Sequence, residues 1–434
     1  MAINFNEIKD RILSTKGDVF VEEENKVSVR FEASRLTSID NLSKEGIGVR
    51  IIKNGRVGFA STNDASKIGE TFRKAEEVSE FGEELDISFP KQPTAKFSVN
   101  AYDASLDDVN EKDMIDLGEE IIGAVKEINP SIEVNLTLEK SFIRKTVINS
   151  SGLDLSFSKS VWGILVEGVY VSRDESLLWL FDTKYTCKYD IDFSNMIYYL
   201  QNLFLFSLEG ASISSGKYPV IFAPSALSVL IDILTVSLNG ENVYKGISPI
   251  KDKLGEKIFS EKFTLADSPH LDWGISSQPF DDEGVLTNYK EIISNGVLNG
   301  FINDLRTGYL QNQPSSGNGF RVYSQLPKPS FSNIVIPRGN VSLREMISSI
   351  DKGLVVYNFL GGGQSNVNAG EFSVNVELGF LIEKGRVVGR VKDTMLFGNV
   401  FELFGNVVEV SKEVKVEFDK ILPYIMVEGV DVSA

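Results

Sequence analysis

Apolar and polar residues alternate through Val27-Ser28-Val29-Arg30-Phe31 and again through Ile132-Glu133-Val134-Asn135-Leu136-Thr137-Leu138. A period of two is the signature of half-buried strands. Residues 26–60 read as strands throughout, with Asn54-Gly55 as a tight hairpin turn between Val49-Arg50-Ile51-Ile52 and Arg56-Val57-Gly58-Phe59. The spacing then predicts a helix over about 64–81, stopped by Gly82, and an acidic helix that closes near Ile128 at Asn129-Pro130. Strands are expected through 133–187, and an aromatic-rich helix over about 193–208. In the second half, Tyr218 to Ala223 reads as a buried strand. A Pro224-Ser225 turn follows it, with Ser225 as N-cap of an apolar helix to about Leu238. On that helix Ser228, Asp232, Thr235 and Asn239 fall on one polar stripe, so one side faces water or a cavity.

Two later hairpins echo each other. Ile293 to Asp304 and Ile382 to Asp393 both place glycine at the turn and again four residues on, a likeness that convergent turn chemistry explains. Between them Ser342-Leu343-Arg344-Glu345 is a capping box that opens a short helix. The organisation expected is α+β: N-terminal α/β subdomains over 1–82 and 105–209, then a β-rich C-terminal domain of mainly antiparallel strands around a buried helix, 217–434. Residues 83–104, with Pro90 and Pro93, read as a linker, and the Gly- and Ser-rich run from Gly210 to Gly216 as a boundary.

Composition narrows the chemistry. A chain of 434 residues suggests about three domains or large subdomains. Its net charge of −17 argues against direct nucleic-acid or anionic-membrane partners. Val220 to Leu238 is long enough to imitate a membrane span, but Pro224, Asp232 and the polar stripe argue against insertion. Nothing at the start resembles a secretory leader, so a cytoplasmic protein is expected. The single cysteine, Cys187, excludes an intrachain disulfide and a thiolate zinc cluster. The single histidine, His270, lies beside Pro269 in a turn and reads as structural. Gly210 to Lys217 fails the phosphate-loop spacing. Asp281-Asp282-Glu283-Gly284 lacks the ligand spacing of a calcium loop and reads as a solvated turn.

From about Phe280 to Phe404 a series of motifs recurs in order: Asp281-Asp282-Glu283-Gly284, Asn295 to Gly300, Ser316-Gly317-Asn318-Gly319, Gly361-Gly362-Gly363-Gln364, Gly370-Glu371-Phe372-Ser373 and Gly398-Asn399. This stretch resembles the TldD/PmbA (TldE) family, once called modulators of DNA gyrase and regarded as metallopeptidases. The N-terminal strands and helix to about Gly82 share the family's look. The resemblance implies a heterodimeric peptidase. Its TldD-like subunit carries an HExxxH motif on a helix after a buried strand, and a cysteine near the C-terminus. Two imidazoles and a third ligand leave a metal one open position for water, with glutamate as base. Aligned through the preceding strand, the motif falls here on Asp232-Ile233-Leu234-Thr235-Val236-Ser237. Asp232, Ile233 and Ser237 therefore stand where the ligands and base would be, and no cysteine follows Cys187.

The chain thus looks like the PmbA/TldE-type partner. It is expected to carry no catalytic or metal-binding residue of its own, with zinc held by a TldD-like subunit. Candidate residues for holding a peptide are Asp232 and Thr235 on the striped helix, the glycine run Gly361, Gly362, Gly363 and Gln364, and the strand at Phe372. The partner would be a TldD-like chain or a second copy. Two rival readings remain. One is a self-sufficient hydrolase binding a hard cation through Asp232 or the Asp281–Glu283 cluster, and the other is a non-enzymatic homodimeric scaffold that binds peptides.

Overall fold

The computed structural model describes residues 3–94, 98–171, 177–361 and 365–434. The strands β1 (Gly17–Glu32), β2 (Arg35–Lys53), β3 (Arg56–Thr62), β4 (Glu133–Asn149), β5 (Asp154–Val171) and β6 (Leu177–Thr186) make the first sheet. Their order is β3-β2-β1-β4-β5-β6, and every neighbour is antiparallel. β1 is central: Val19 lies opposite Val49 on one side and Ile148 on the other. The segments 1–82 and 105–209 therefore build one sheet between them.

Turn chemistry sets the hairpins. Asn54 and Gly55 take φ of 52° and 73°, the mirror-image turn their sequence predicts. The β1–β2 turn does the same with Ala33 (φ 45°) and Ser34 (φ 65°), residues that seldom adopt it. Contacts to the start of β4 hold them there. The Ser34 amide donates to the Val134 carbonyl at 2.7 Å, and the Val134 amide donates to Ser34 Oγ at 3.1 Å.

The helices packed on the sheets include α1 (Phe5–Leu13), α2 (Ile68–Ser79), α3 (Glu111–Ile128), α4 (Ser194–Phe206) and α5 (Pro224–Leu238). α2 is shorter than its sequence suggests. Asp64 caps a 3₁₀ turn over Ala65–Lys67, and the α-helix ends at Ser79, three residues before Gly82. The 83–104 segment is pinned along part of its length, because Leu85, Ile87 and Phe89 are buried with Ile52 and Val57.

In the C-terminal half five strands close into a ring. Gly216–Phe222 pairs in parallel with Lys352–Leu360, which pairs antiparallel with Glu371–Glu383. That strand pairs with Met395–Asn399, which pairs with Lys420–Ser433, which returns to Gly216–Phe222. The end of the ring's first strand, Val220 to Phe222, is buried on both faces, which explains the unbroken apolar run before Pro224. Val220 and Phe222 share a core with Leu227, Leu230 and Leu234 of α5. Ile221 and Ala223 share another with α3, α4 and Trp162 of the first sheet. The capping box predicted at Ser342 and Glu345 opens the helix Leu343–Ser349. Among the described residues no helix is long and apolar enough to cross a membrane.

Close contact between α2 and β3 depends on Gly58. A Cβ there would lie 1.9 Å from the Ala75 carbonyl oxygen and 2.6 Å from the Ser79 amide nitrogen, both backbone atoms. Gly58→Ala is expected to cost about 3 kcal/mol of stability through forced separation of helix and sheet, read by denaturant unfolding.

Candidate functional site

α5 starts two residues earlier than the sequence indicates. Pro224 occupies the first helical turn, where its missing N–H costs nothing, and Ala223 is the N-cap. Ser225 is therefore not the cap; its Oγ donates to Glu417 Oε1 at 2.8 Å. Nine α5 side chains are buried, Leu227, Leu230, Ile231, Leu234 and Leu238 among them. Asp232 is on the outer face with its side chain 60% exposed, and it pairs with Lys420 at 3.0 Å. Thr235 turns back to donate to the Asp232 carbonyl at 2.7 Å. Ile233 and Ser237 point inward, at 6% and 1% exposure. Five residues of helix separate the directions of Asp232 and Ser237 by roughly 140°. They do not converge on a common point.

The other peptide-holding candidates lie at the rim of the ring. Gly361 follows the strand Lys352–Leu360 in a left-handed conformation, φ 71°, with open space where a Cβ would be. Gly362, Gly363 and Gln364 lie outside the described residues. Phe372 pairs with Gly398 of the adjacent strand, and its side chain is buried at 3% exposure, so it cannot itself touch a peptide. Beside Leu360 a cleft of about 430 Å³ opens between the two sheets, walled by Leu177, Trp179, Leu360, Val376 and Glu377. Arg390 ties it together: Nη1 donates to the Leu177 carbonyl and Nη2 to the Glu377 carbonyl, each at 3.0 Å.

Asp281-Asp282-Glu283 is not a solvated turn. All three residues are buried, at 0%, 2% and 0% exposure, beneath the first sheet. Glu283 Oε1 accepts from Arg50 Nη1 at 2.8 Å, and its Oε2 accepts from the Leu305 amide at 2.6 Å. Arg50 also grips Asp18, its cross-strand neighbour, through Nε at 2.7 Å and Nη2 at 3.1 Å. Arg321 Nη2 meets Asp18 Oδ2 at 2.5 Å and the Asp282 carbonyl at 2.8 Å. Lys145 holds both Asp282 oxygens at 3.0 Å, and Asp281 accepts from the amides of Gly319, Glu283 and Val285. These carboxylates are committed to cations and amides, so they do not form a hard-cation site. The sequence did carry a signal for Arg50, a charge within Val49-Arg50-Ile51-Ile52, but nothing along the chain names its partners.

His270 and Cys187 serve packing. His270 Nε2 lies 2.9 Å from Thr287 Oγ1, and burial, helped by Lys290, holds its pKa below the usual imidazole value. The Cys187 thiol, buried against the Gly274 carbonyl, is pushed up to about 11.

A family model described as the PmbA/TldA metallopeptidase C-terminal domain matches residues 215–434, about half of the chain, and its domain 1 counterpart matches 17–79. The chain belongs to the PmbA/TldD metallopeptidase family. The fold agrees over its whole length with TldE from Thermococcus kodakarensis, at TM-score 0.90 and 25% identity with 99% of each chain covered. A protein described as a modulator of DNA gyrase from Thermotoga maritima matches as well, at TM-score 0.90 and 25% identity, covering 99% of this chain and 100% of that one. An uncharacterised protein of Methanocaldococcus jannaschii is 28% identical over 95% of both chains. A metalloprotease of Methanothermobacter thermautotrophicus is 32% identical over 46% of this chain and 44% of its own. With such metalloproteases, the shared stretch is less than half of either protein.

The metal that the family implies does not fit α5 in this chain. Where two imidazoles and a carboxylate would stand, it offers an ion-paired carboxylate facing out, an alkyl group and a buried hydroxyl. Among the described residues no group of three or more His, Cys, Asp or Glu side chains is placed to hold a metal ion.

The buried ion network has a pH signature. Burial raises Glu283 to about 7 against the pull of Arg50, while Asp304 pushes it further up. Its proton is held more tightly in the folded chain than in the unfolded one. That contribution to stability is fully present below the ordinary glutamate value and is lost as pH rises through about 7. For Asp18 burial acts upward, but Arg321 and Arg50 outweigh it and keep its pKa low, so its contribution is lost only in stronger acid. Glu283→Gln is expected to flatten the fall in melting temperature between about pH 5 and pH 8. Arg50→Ala should cost about 3–5 kcal/mol, because it strands two buried carboxylates. Thermal melts over a pH series read both effects.

Proposed function

We propose that this chain is the non-catalytic, PmbA/TldE-like subunit of a TldD/PmbA-type peptidase acting on unfolded peptides or small proteins in the cytoplasm. A TldD-like subunit supplies the zinc, the water it activates and the base. This chain supplies shape and a surface for an extended peptide: the outer face of α5 at Asp232 and Thr235, the glycine run that begins at Gly361, and the cleft beside Leu360 and Trp179. The observation that carries the reading is the donor set on α5, with Asp232, Ile233 and Ser237 in the motif positions. Full-length likeness to a TldE supports it. The carboxylate-metal alternative is weakened because Asp232 is paired with Lys420 and Glu283 with Arg50.

The test is reconstitution. This chain, a TldD-like chain and their mixture are assayed for bound zinc and for cleavage of unfolded peptides. The expected result is no turnover and no stoichiometric zinc with this chain alone, and chelator-sensitive cleavage by the mixture. Asp232→Ala should leave the zinc content of the mixture unchanged. Chelator-sensitive cleavage by this chain alone would overturn the assignment.

A further inference from the structure

A half-buried lysine without a counter-charge lies beneath the first sheet. The Lys159 ammonium donates to the Ile275 carbonyl at 2.7 Å, and among the described residues no carboxylate comes within ion-pair distance of it. Comparable lysines are compensated: Lys145 holds Asp282, Lys290 holds Asp267, Lys415 sits between Asp182 and Glu417, and Lys420 pairs with Asp232. Lys140 also lacks a carboxylate, but it is on the opposite face of the sheet, where the Val109 carbonyl and the Phe142 ring surround it. Holding an amine partly out of water with no opposite charge is costly. Burial, reinforced by the charge of Lys145, lowers the pKa of Lys159 to about 8, and Cys187, Asp282 and Glu24 act the other way without restoring it. The amine is still charged at neutral pH, and two of its three N–H donors have no partner among the described residues.

Its place connects it to the surface beside α5. On β5, Lys159 points from the same face as Gly163, four residues on. There the Tyr185 ring fills the space a side chain would take, and Phe418 stacks on Tyr185 with ring centres 5.0 Å apart. Ile275 is followed by Ser276, which lies beside Asp419, and Asp419 precedes Lys420, the partner of Asp232 on α5. A short run of contacts therefore leads from Lys159, under the sheet, to the outer face of α5.

Charge sets the class of ligand. One ammonium compensates one negative charge, and Asp282, Glu24 and Asp419 nearby repel anything that carries more. The net charge of −17 acts in the same sense. Polyanions are thereby disfavoured, whereas a carboxylate brings one charge and two acceptor oxygens. In an extended peptide that group is the C-terminus or an Asp or Glu side chain.

We propose that Lys159 is a carboxylate-binding subsite, holding one carboxylate of a peptide at the sheet side of the surface beside α5. This rests on the reading of the chain as a peptide-holding subunit and adds the group by which the peptide is held. Lys159 positions the peptide and takes no part in its cleavage.

The test uses three labelled, unstructured peptides of one neutral sequence. The first has a free C-terminal carboxylate, the second a C-terminal amide, and the third the amide plus one internal Glu. Each is titrated with the full chain by fluorescence anisotropy, and its KM is measured with the mixture of this chain and a TldD-like chain. The free acid or the Glu peptide is expected to bind at least about tenfold tighter than the neutral amide, and which of them does so identifies the source of the carboxylate. Lys159→Met should erase that preference and leave the affinity of the neutral amide unchanged, while Lys159→Arg should keep it. A lysine that only props the Ile275 segment predicts equal binding of all three peptides. That result overturns the proposal and needs no variant to fold. A preference that survives in Lys159→Met overturns it too. Cleavage by the mixture without any carboxylate preference removes this subsite alone, whereas peptides that neither bind nor are cleaved remove the peptide-holding reading with it.

Discussion

A guanidinium shut away from water sets the architecture. Arg50 sits in the first sheet, yet one of its carboxylate partners is Glu283, more than two hundred residues downstream in the turn beneath that sheet. A buried charge without partners is far costlier than one with them, so neither half of the chain can take up its final position until the other supplies the counter-charge. Asp18 completes the arrangement from the neighbouring strand, and Arg321 and Lys145 neutralise what remains. Apolar packing between the halves is extensive but tolerant of small slips. The directional ionic hydrogen bonds of Arg50 to Glu283, Lys145 to Asp282 and Arg321 to Asp18 are much less so, and they fix the register of one half on the other.

The same separation of duties explains α5. Its place depends on apolar side chains packed into the ring, and these do not involve the polar stripe. A family member can exchange the groups on that stripe without disturbing the helix. In this chain the stripe carries an aspartate paired with Lys420 and a threonine bonded to its own backbone. The fold is therefore indifferent to the chemistry it displays, and function has to be argued from the displayed groups.

Most elements are legible in the sequence because their cause is local. Asn54-Gly55 names its turn, Ser342 with Glu345 names its helix start, and alternation in Val27–Phe31 and Ile132–Leu138 names strands. Three features are not. The Ala33-Ser34 turn lacks the usual residues because β4, a hundred residues away, holds it. Ser225 resembles a cap only if Pro224 belongs to a turn, whereas proline in a first helical turn fits equally well. Asp281 to Glu283 resemble a solvated turn because three consecutive acids usually form one, and the cations that bury them come from β2, β4 and Arg321. At the candidate site the degenerate motif is readable from its strand and helix. The burial of Phe372 and the cleft at Trp179 depend on the ring and on the seam between the sheets, which no local pattern encodes.

The central place of β1 bears on how the molecule is made. The strand that covers its second side, β4, is synthesised about a hundred residues after it. Until then the nascent hairpin of β1 and β2 has an unsatisfied inner edge and an apolar face bearing Val19, Val29 and Phe31. Such non-local pairing slows folding and prolongs exposure to wrong partners. Synthesis of this protein should therefore be sensitive to crowding by its own incomplete chains, and holdase chaperones are best placed to act before residue 149 has emerged.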